Sequence, residues 1–113
     1  MYSFREIVFE NGDKELVIDF NEANKEMLTV FLCTEVEDFT EEVIEKIDEV
    51  LNKESEYEEF VGNICSVEID NNKTKISDIF DMNVPCEIET KELRNLIDIW
   101  LKKLDEFNKT GEI

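Results

Sequence analysis

The chain has 113 residues, the size of one globular domain, and it carries 30 acidic and 12 basic residues, no histidine and a formal net charge of -18. Because phosphate binding requires clustered lysine and arginine, this charge excludes nucleic acid and anionic membrane surfaces as direct ligands. An apolar fraction of 42%, with eight phenylalanines and one tryptophan, excludes a disordered acidic tail and predicts a single globular domain over residues 1–113.

The cellular location is predicted from targeting signals. No run of eighteen apolar residues is present, and the N-terminal MYSFREIVFENGDKE lacks the basic region and long apolar stretch of a signal peptide. Three widely spaced cysteines, Cys33, Cys65 and Cys86, stand beside apolar residues, which indicates buried, reduced thiols. We therefore expect a cytoplasmic protein without disulfides.

The first third of the chain predicts three strands. Residues 2–10 alternate loosely between apolar and polar, Asn11-Gly12 favours a hairpin turn, and residues 15–21 (ELVIDFN) alternate strictly. The segment 27–36, MLTVFLCTEV, is rich in β-branched and aromatic residues, and this composition favours a third strand.

Residues 38–52 change to a helical period. Apolar residues recur three and four positions apart, centred near Ile47, and Asp38 with Glu41 has the spacing of a capping box. The acidic residues Glu42, Glu45 and Glu49 point away from the apolar stripe. The helix therefore has an outer face made almost entirely of carboxylates, although like charges three and four residues apart weaken it.

The second half of the chain contains a hairpin and a long helix. An acidic stretch over residues 55–61 leads into alternating residues 64–79, which turn at Asn71-Asn72, and the segment around Pro85 is expected to be irregular. A final helix is predicted from Thr90, as its cap, to about residue 108. Gly111 lies just past its end, and Trp100 occupies the centre of its apolar stripe.

This order of elements, ββ(β)-α-ββ-α, predicts an α+β fold. We expect an antiparallel sheet of four or five strands, built from two hairpins, to pack against two main helices.

Motifs for catalysis, cofactors or metals are missing from the sequence. There is no GxxxxGK[ST], GxGxxG or GxSxG, and DNNKTKISD lacks the ligand spacing and central glycine of a calcium loop. Zinc would have three scattered thiols and no histidine. We therefore predict no catalytic residue, no metal and no cofactor.

The negative charge is concentrated in one part of the chain. Residues 35–59 hold twelve carboxylates and two lysines. Such a run is either a solvated face or a local field that attracts a basic partner and speeds its association. Tyr57, an aromatic residue among carboxylates, suits the centre of an interface. The candidate partner-binding residues are Glu42, Glu45, Asp48, Glu49, Glu56, Tyr57, Glu58 and Glu59.

Two stretches carry a resemblance to known proteins. They are YEEFVGNICSVEIDNNKTKISD, a helix exit that feeds a hairpin with a polar tip, and EIETKELRNLIDIWLKKLDEF, a terminal helix with an aromatic residue near its middle. In this arrangement residues 57–107 resemble the YacL-like family, which includes immunity proteins of contact-dependent growth inhibition. The resemblance implies a small acidic cytoplasmic domain that binds a cognate toxin C-terminal domain, often a basic nuclease, and blocks its active site.

Three functions remain open at this point. The first is an immunity protein that occludes a basic toxin of nuclease type without performing chemistry. The second is an acidic adaptor or nucleic-acid mimic that binds a basic regulator. The third is a carboxylate-based enzyme or metal-binding protein. A neighbouring gene for a large secreted toxin separates the first two, and stoichiometric metal binding would favour the third.

Added salt should stabilise the protein, because it screens the self-repulsion of a chain with a net charge of -18. Thermal unfolding followed by circular dichroism should show a midpoint that rises with sodium chloride and does not respond to a chelator or a reductant. Loss of structure in the chelator would reveal a metal site.

Overall fold

The first hairpin forms where the alternating residues and the Asn11-Gly12 turn predict it. In the computed structural model, which describes residues 1–113, strands β1 (Tyr2–Val8) and β2 (Lys14–Phe20) pair as a separate two-stranded antiparallel sheet. The N–H of Gly12 donates to the carbonyl of Phe9 at 2.9 Å, and Gly12 adopts a left-handed φ of 91°. The hairpin prediction is confirmed.

The segment 27–36 is a helix, and the prediction of a third strand there is wrong. Helix α1 consists of an α-helical turn over Glu26–Val30, a π-helical turn over Phe31–Glu35 and a last α-helical turn over Val36–Asp38. Its buried side chains recur every four residues, a helical period that the β-branched and aromatic composition obscured. They are Met27, Leu28, Phe31, Leu32, Glu35 and Val36.

Helix α2 (Thr40–Leu51) has the predicted apolar stripe, with Val43, Ile47 and Val50 buried. The predicted capping box of Asp38 and Glu41 is wrong, because Asp38 is still part of α1 and no side chain caps α2.

The second half of the chain builds a four-stranded antiparallel sheet. Strands β3 (Tyr57–Val61), β4 (Cys65–Asp70), β5 (Lys73–Asp78) and β6 (Cys86–Glu89) lie side by side in chain order, so β3 and β6 are its edges. The predicted hairpin is β4–β5, and strands that the sequence pattern did not predict flank it on both sides. One face of the sheet packs on the helices, and the other face is open to solvent.

Helix α3 (Thr90–Thr110) closes the structure. Thr90 does not cap this helix as predicted, because it is the first helical residue and its hydroxyl serves the β4–β5 hairpin. That hydroxyl donates to the carbonyl of Asp70 at 2.6 Å and lies 2.8 Å from the hydroxyl of Thr74. The predicted end of the helix is confirmed, since Gly111 has a φ of 71° and donates its N–H to the carbonyl of Phe107.

A buried carboxylate joins α1 to the four-stranded sheet. Glu35, fully buried in the π-helical turn, accepts hydrogen bonds from the backbone N–H groups of Asn63 at 3.1 Å and Cys65 at 3.3 Å. Both donors lie in or next to the β3–β4 turn. A Cβ on Gly62 in the same turn would overlap the Glu35 carboxylate, so this close approach requires glycine.

The core lies between the four-stranded sheet and the three helices. Trp100 of α3 is fully buried at its centre, as predicted, and stacks on Phe4 of the first hairpin with ring centroids 6.4 Å apart. The α+β fold class is confirmed, with six strands divided between two antiparallel sheets and three helices. None of the helices has the length and apolar character needed to cross a membrane.

Replacement of Trp100 by alanine should destabilise the protein by about 3 to 5 kcal/mol, because it leaves a large cavity that the surrounding side chains fill only in part. The matched control is Ile99→Ala on the exposed side of the same helix, with an expected loss below about 1 kcal/mol. Urea unfolding of both variants measures the difference, and similar losses would contradict the central position of Trp100.

Candidate partner-binding surface

Helix α2 and strand β3 bring four of the predicted site residues together. Glu42, Glu45 and Glu49 stand one helical turn apart on α2, and Glu58 of β3 faces them. With Lys46 they line a shallow depression of about 470 Å³. Four carboxylates around one ammonium group give this depression a net charge of -3 at neutral pH.

The contacts of Glu58 fix the position of β3 against α2. Lys46 Nζ lies 3.6 Å from Glu58 Oε1, and the hydroxyl of Ser55 donates to Glu58 Oε2 at 2.8 Å. Glu58 and Lys46 are both half-buried, so their positions are constrained by packing. The three helix carboxylates make no ion pair within 4 Å and remain available to an external cation.

The surroundings of Glu49 in the depression disfavour its ionised form. Partial desolvation, followed by the charges of Glu58 and Glu45, raises the pKa of Glu49 above its ordinary value of 4.5. A cation placed in the depression would relieve this repulsion. The depression is therefore a surface that favours a positively charged partner.

Tyr57 and Glu59 lie on the opposite, open face of the four-stranded sheet. Side chains alternate along β3, so Tyr57, Glu59 and Val61 point to solvent while Phe60 enters the core. The Tyr57 hydroxyl donates to Glu59 Oε1 at 2.7 Å, and this hydrogen bond is the main reason that the pKa of Tyr57 rises to about 12. Glu56 precedes the strand and is exposed.

Asp48 is separated from the other candidates. It faces α3, where its Oδ1 accepts a hydrogen bond from Arg94 Nε at 2.9 Å, while Arg94 Nη1 donates to Asp98 at 2.7 Å. Arg94 thus neutralises Asp48 and ties α2 to α3. The predicted site residues therefore occupy three places: the depression, the open sheet face and the α2–α3 contact.

A basic cleft that the sequence pattern does not predict lies near the end of α2. This cleft of about 720 Å³ is lined by Lys53, Lys73 and Lys91 together with Glu89 and mainly polar neighbours. None of these lysines makes an ion pair within 4 Å. The three residues are far apart in sequence and only the fold assembles them, so no local pattern could have predicted the cleft. Its charge would repel a basic partner from this end.

The cysteines are free and poorly suited to nucleophilic chemistry. Burial raises the pKa of Cys65 to about 12 and the pKa of Cys33 to about 11. Burial also raises the pKa of Cys86. All three thiols are therefore protonated at neutral pH.

No three acidic, cysteine or histidine side chains converge in a way that could hold a metal ion. The geometry of the acidic surface suits binding of a cationic surface.

Comparison with known proteins adds one relative. A Bacillus cereus protein named "Immunity protein" is 40% identical over 111 residues, which cover 96% of this chain and 91% of that protein. No protein-family model matches the chain. No solved structure matches it.

Replacement of Glu49 by glutamine should stabilise the protein at neutral pH. The folded state raises the pKa of Glu49, so its ionisation destabilises folding, and this penalty is absent below 4.5 and grows as pH rises through the folded pKa. Urea unfolding across this range should show a gain at pH 7 that disappears in acid. Glu106→Gln, at an exposed carboxylate without an ion pair, is the control and should show no such trend.

Proposed function

We propose that this chain, which belongs to a family of immunity proteins, neutralises a basic toxin domain of nuclease type by covering its active site. The partner is the C-terminal domain of a cognate toxin, delivered by contact-dependent growth inhibition and met in the cytoplasm. The observation that carries the proposal is the row of three unpaired carboxylates, Glu42, Glu45 and Glu49, on the face of α2 next to β3.

The chemistry of a nuclease supports this pairing. An enzyme that holds a phosphate backbone needs a cationic surface at its active site. Glu42, Glu45 and Glu49 repeat along one helix face and none of them forms an ion pair within 4 Å, so they can occupy the positions of substrate phosphates. Because the charges of Glu58 and Glu45 act on Glu49, ion pairing of Glu49 with the toxin relieves repulsion as well as adding attraction.

The charge distribution also orients the encounter. The acidic depression attracts a basic surface, while the cleft of Lys53, Lys73 and Lys91 repels it from the end of the sheet where that cleft lies. Glu58 belongs to the depression, and Glu56 lies just before the same edge strand. A partner that wraps around this edge would also meet Glu59 and the exposed Tyr57 on the other face of the strand, where Tyr57 supplies an aromatic contact. Asp48, held by Arg94, supports the position of α2.

The triple variant E42Q/E45Q/E49Q tests the acidic surface. It should fold at least as well as the parent and should bind the toxin domain more slowly at low salt, on the order of tenfold, with a smaller dependence of the association rate on salt. Stopped-flow or surface plasmon resonance at several salt concentrations measures both quantities. In cells, the variant should protect less well against the toxin.

The matched control is E92Q/E106Q/E112Q, which also removes three exposed carboxylates, none of them in an ion pair. Its association rate should change much less. Equal slowing by the two triple variants would show that only the total charge matters, and it would rule out the α2 surface. Retained binding to an unrelated basic protein, without protection of cells from any toxin, would instead support the acidic adaptor or nucleic-acid mimic.

A further inference from the structure

The loop between β5 and β6 presents large apolar side chains to solvent. Over residues 79–85 the only charged residue is Asp81, in a chain of which 37% is charged. Phe80 is 64% exposed, Met82 is 82% exposed and Val84 is 57% exposed. Isolated exposed apolar residues are ordinary, but three on one short loop form a patch of the kind that marks an interaction site.

This loop has a defined conformation. Asp78, which is buried at the end of β5, accepts hydrogen bonds from the N–H of Phe80 at 2.8 Å and from the side-chain amide of Asn83 at 2.7 Å. The backbone N–H of Asp81 adds a bond to the Asp78 carbonyl at 3.0 Å. A buried carboxylate thus organises a loop whose apolar side chains face outward, so little conformational entropy is lost when a partner covers them.

The apolar loop is bonded to the β3–β4 turn, at the end of the sheet where α2 begins. The N–H of Ile79 donates to the carbonyl of Ile64, which joins the loop to the β3–β4 turn. Next to that turn, Phe60 of β3 contacts Phe39 at the start of α2, with ring centroids 5.4 Å apart. The first carboxylates of α2 therefore lie at the same end of the sheet as the loop. The lysine cleft lies at the opposite end, about 20 Å away along β5.

We infer that the β5–β6 loop is the apolar anchor of the toxin interface, and that Phe80 and Met82 enter an uncharged recess bordered by basic residues of the toxin. This inference rests on the proposed function and assigns a different kinetic role to each of the two surfaces. The carboxylates of α2 govern the rate of association, whereas the loop governs the rate of dissociation, because desolvated apolar contacts act mainly after the encounter.

Methionine oxidation provides a test within the native chain. Met82 and Met1 are 82% and 80% exposed, and Met27 is fully buried. Dilute hydrogen peroxide should oxidise Met1 and Met82 of the free protein and spare Met27. In complex with the cognate toxin C-terminal domain, made inactive by substitution, Met82 should oxidise on the order of tenfold more slowly while Met1 is unchanged. Peptide mass spectrometry measures both rates.

A pair of double variants provides the second readout. F80S/M82S should dissociate from the toxin domain on the order of tenfold faster or more, with the salt dependence of association unchanged. V8S/F9S, which removes two exposed apolar residues from the first hairpin, is the matched control and should stay within about twofold of the parent. Both variants change exposed side chains, and cooperative unfolding confirms that each is folded.

The outcomes separate the two proposals. If Met82 is unprotected in the complex, or F80S/M82S dissociates like the parent while E42Q/E45Q/E49Q associates slowly, the loop inference is wrong and the proposed function stands. If no complex forms with the toxin domain, the proposed function fails and the inference fails with it. If Met82 becomes protected as the concentration of the free protein rises, a second copy of this chain is the occupant, and the inference is overturned.

Discussion

One buried carboxylate, Glu35, holds the turn to which both the acidic edge strand and the apolar loop are attached. Glu35 reaches from the π-helical turn of α1 to the backbone of the β3–β4 turn, where two N–H groups stabilise its charge. A buried carboxylate is unfavourable unless it is hydrogen-bonded, so this contact fixes the turn and helix together. Strand β3 enters the turn, and the β5–β6 loop is bonded to it through Ile64. The acidic surface and the apolar loop are therefore both attached to the β3–β4 turn that Glu35 holds.

Asp78 repeats this arrangement at the adjacent loop. Both carboxylates are buried at the same end of the four-stranded sheet, and both accept hydrogen bonds from backbone N–H groups. After burial, the charges of Glu35 and Asp78 contribute to the raised pKa of Cys65, which shows that the two groups act on a common environment. Glu35 and Asp78 thus order the turn and the loop at this end of the sheet, while other acidic residues form the surface that we propose meets a partner.

The residue pattern predicted those elements whose periods were undisturbed. The first hairpin, the β4–β5 hairpin, the stripe of α2 and the end of α3 at Gly111 follow from local spacing and turn chemistry. Helix α1 did not, because its composition favours a strand while its four-residue repeat is helical. The prediction of Thr90 as the cap of α3 is wrong because its hydroxyl forms tertiary hydrogen bonds with Asp70 and Thr74 instead.

The candidate site likewise contains residues that local spacing predicts to lie together and residues that only the tertiary fold brings together. Spacing on one helix was enough to place Glu42, Glu45 and Glu49 together. Spacing could not show that Glu58 joins them, that Arg94 captures Asp48, or that Lys53, Lys73 and Lys91 meet in a cleft. Each of these depends on contacts between residues distant in sequence, which a pattern within one element does not encode.

Strand β3 has a further consequence as an edge of the sheet. An edge strand offers unpaired backbone groups on which another chain can add a strand, and proteins guard such edges with charged side chains. Glu56, Glu58 and Glu59 place three like charges along this short edge, so two copies that approached edge to edge would repel each other. The acidic residues that fit a basic partner therefore also disfavour the addition of a second copy of this chain to the edge of the sheet.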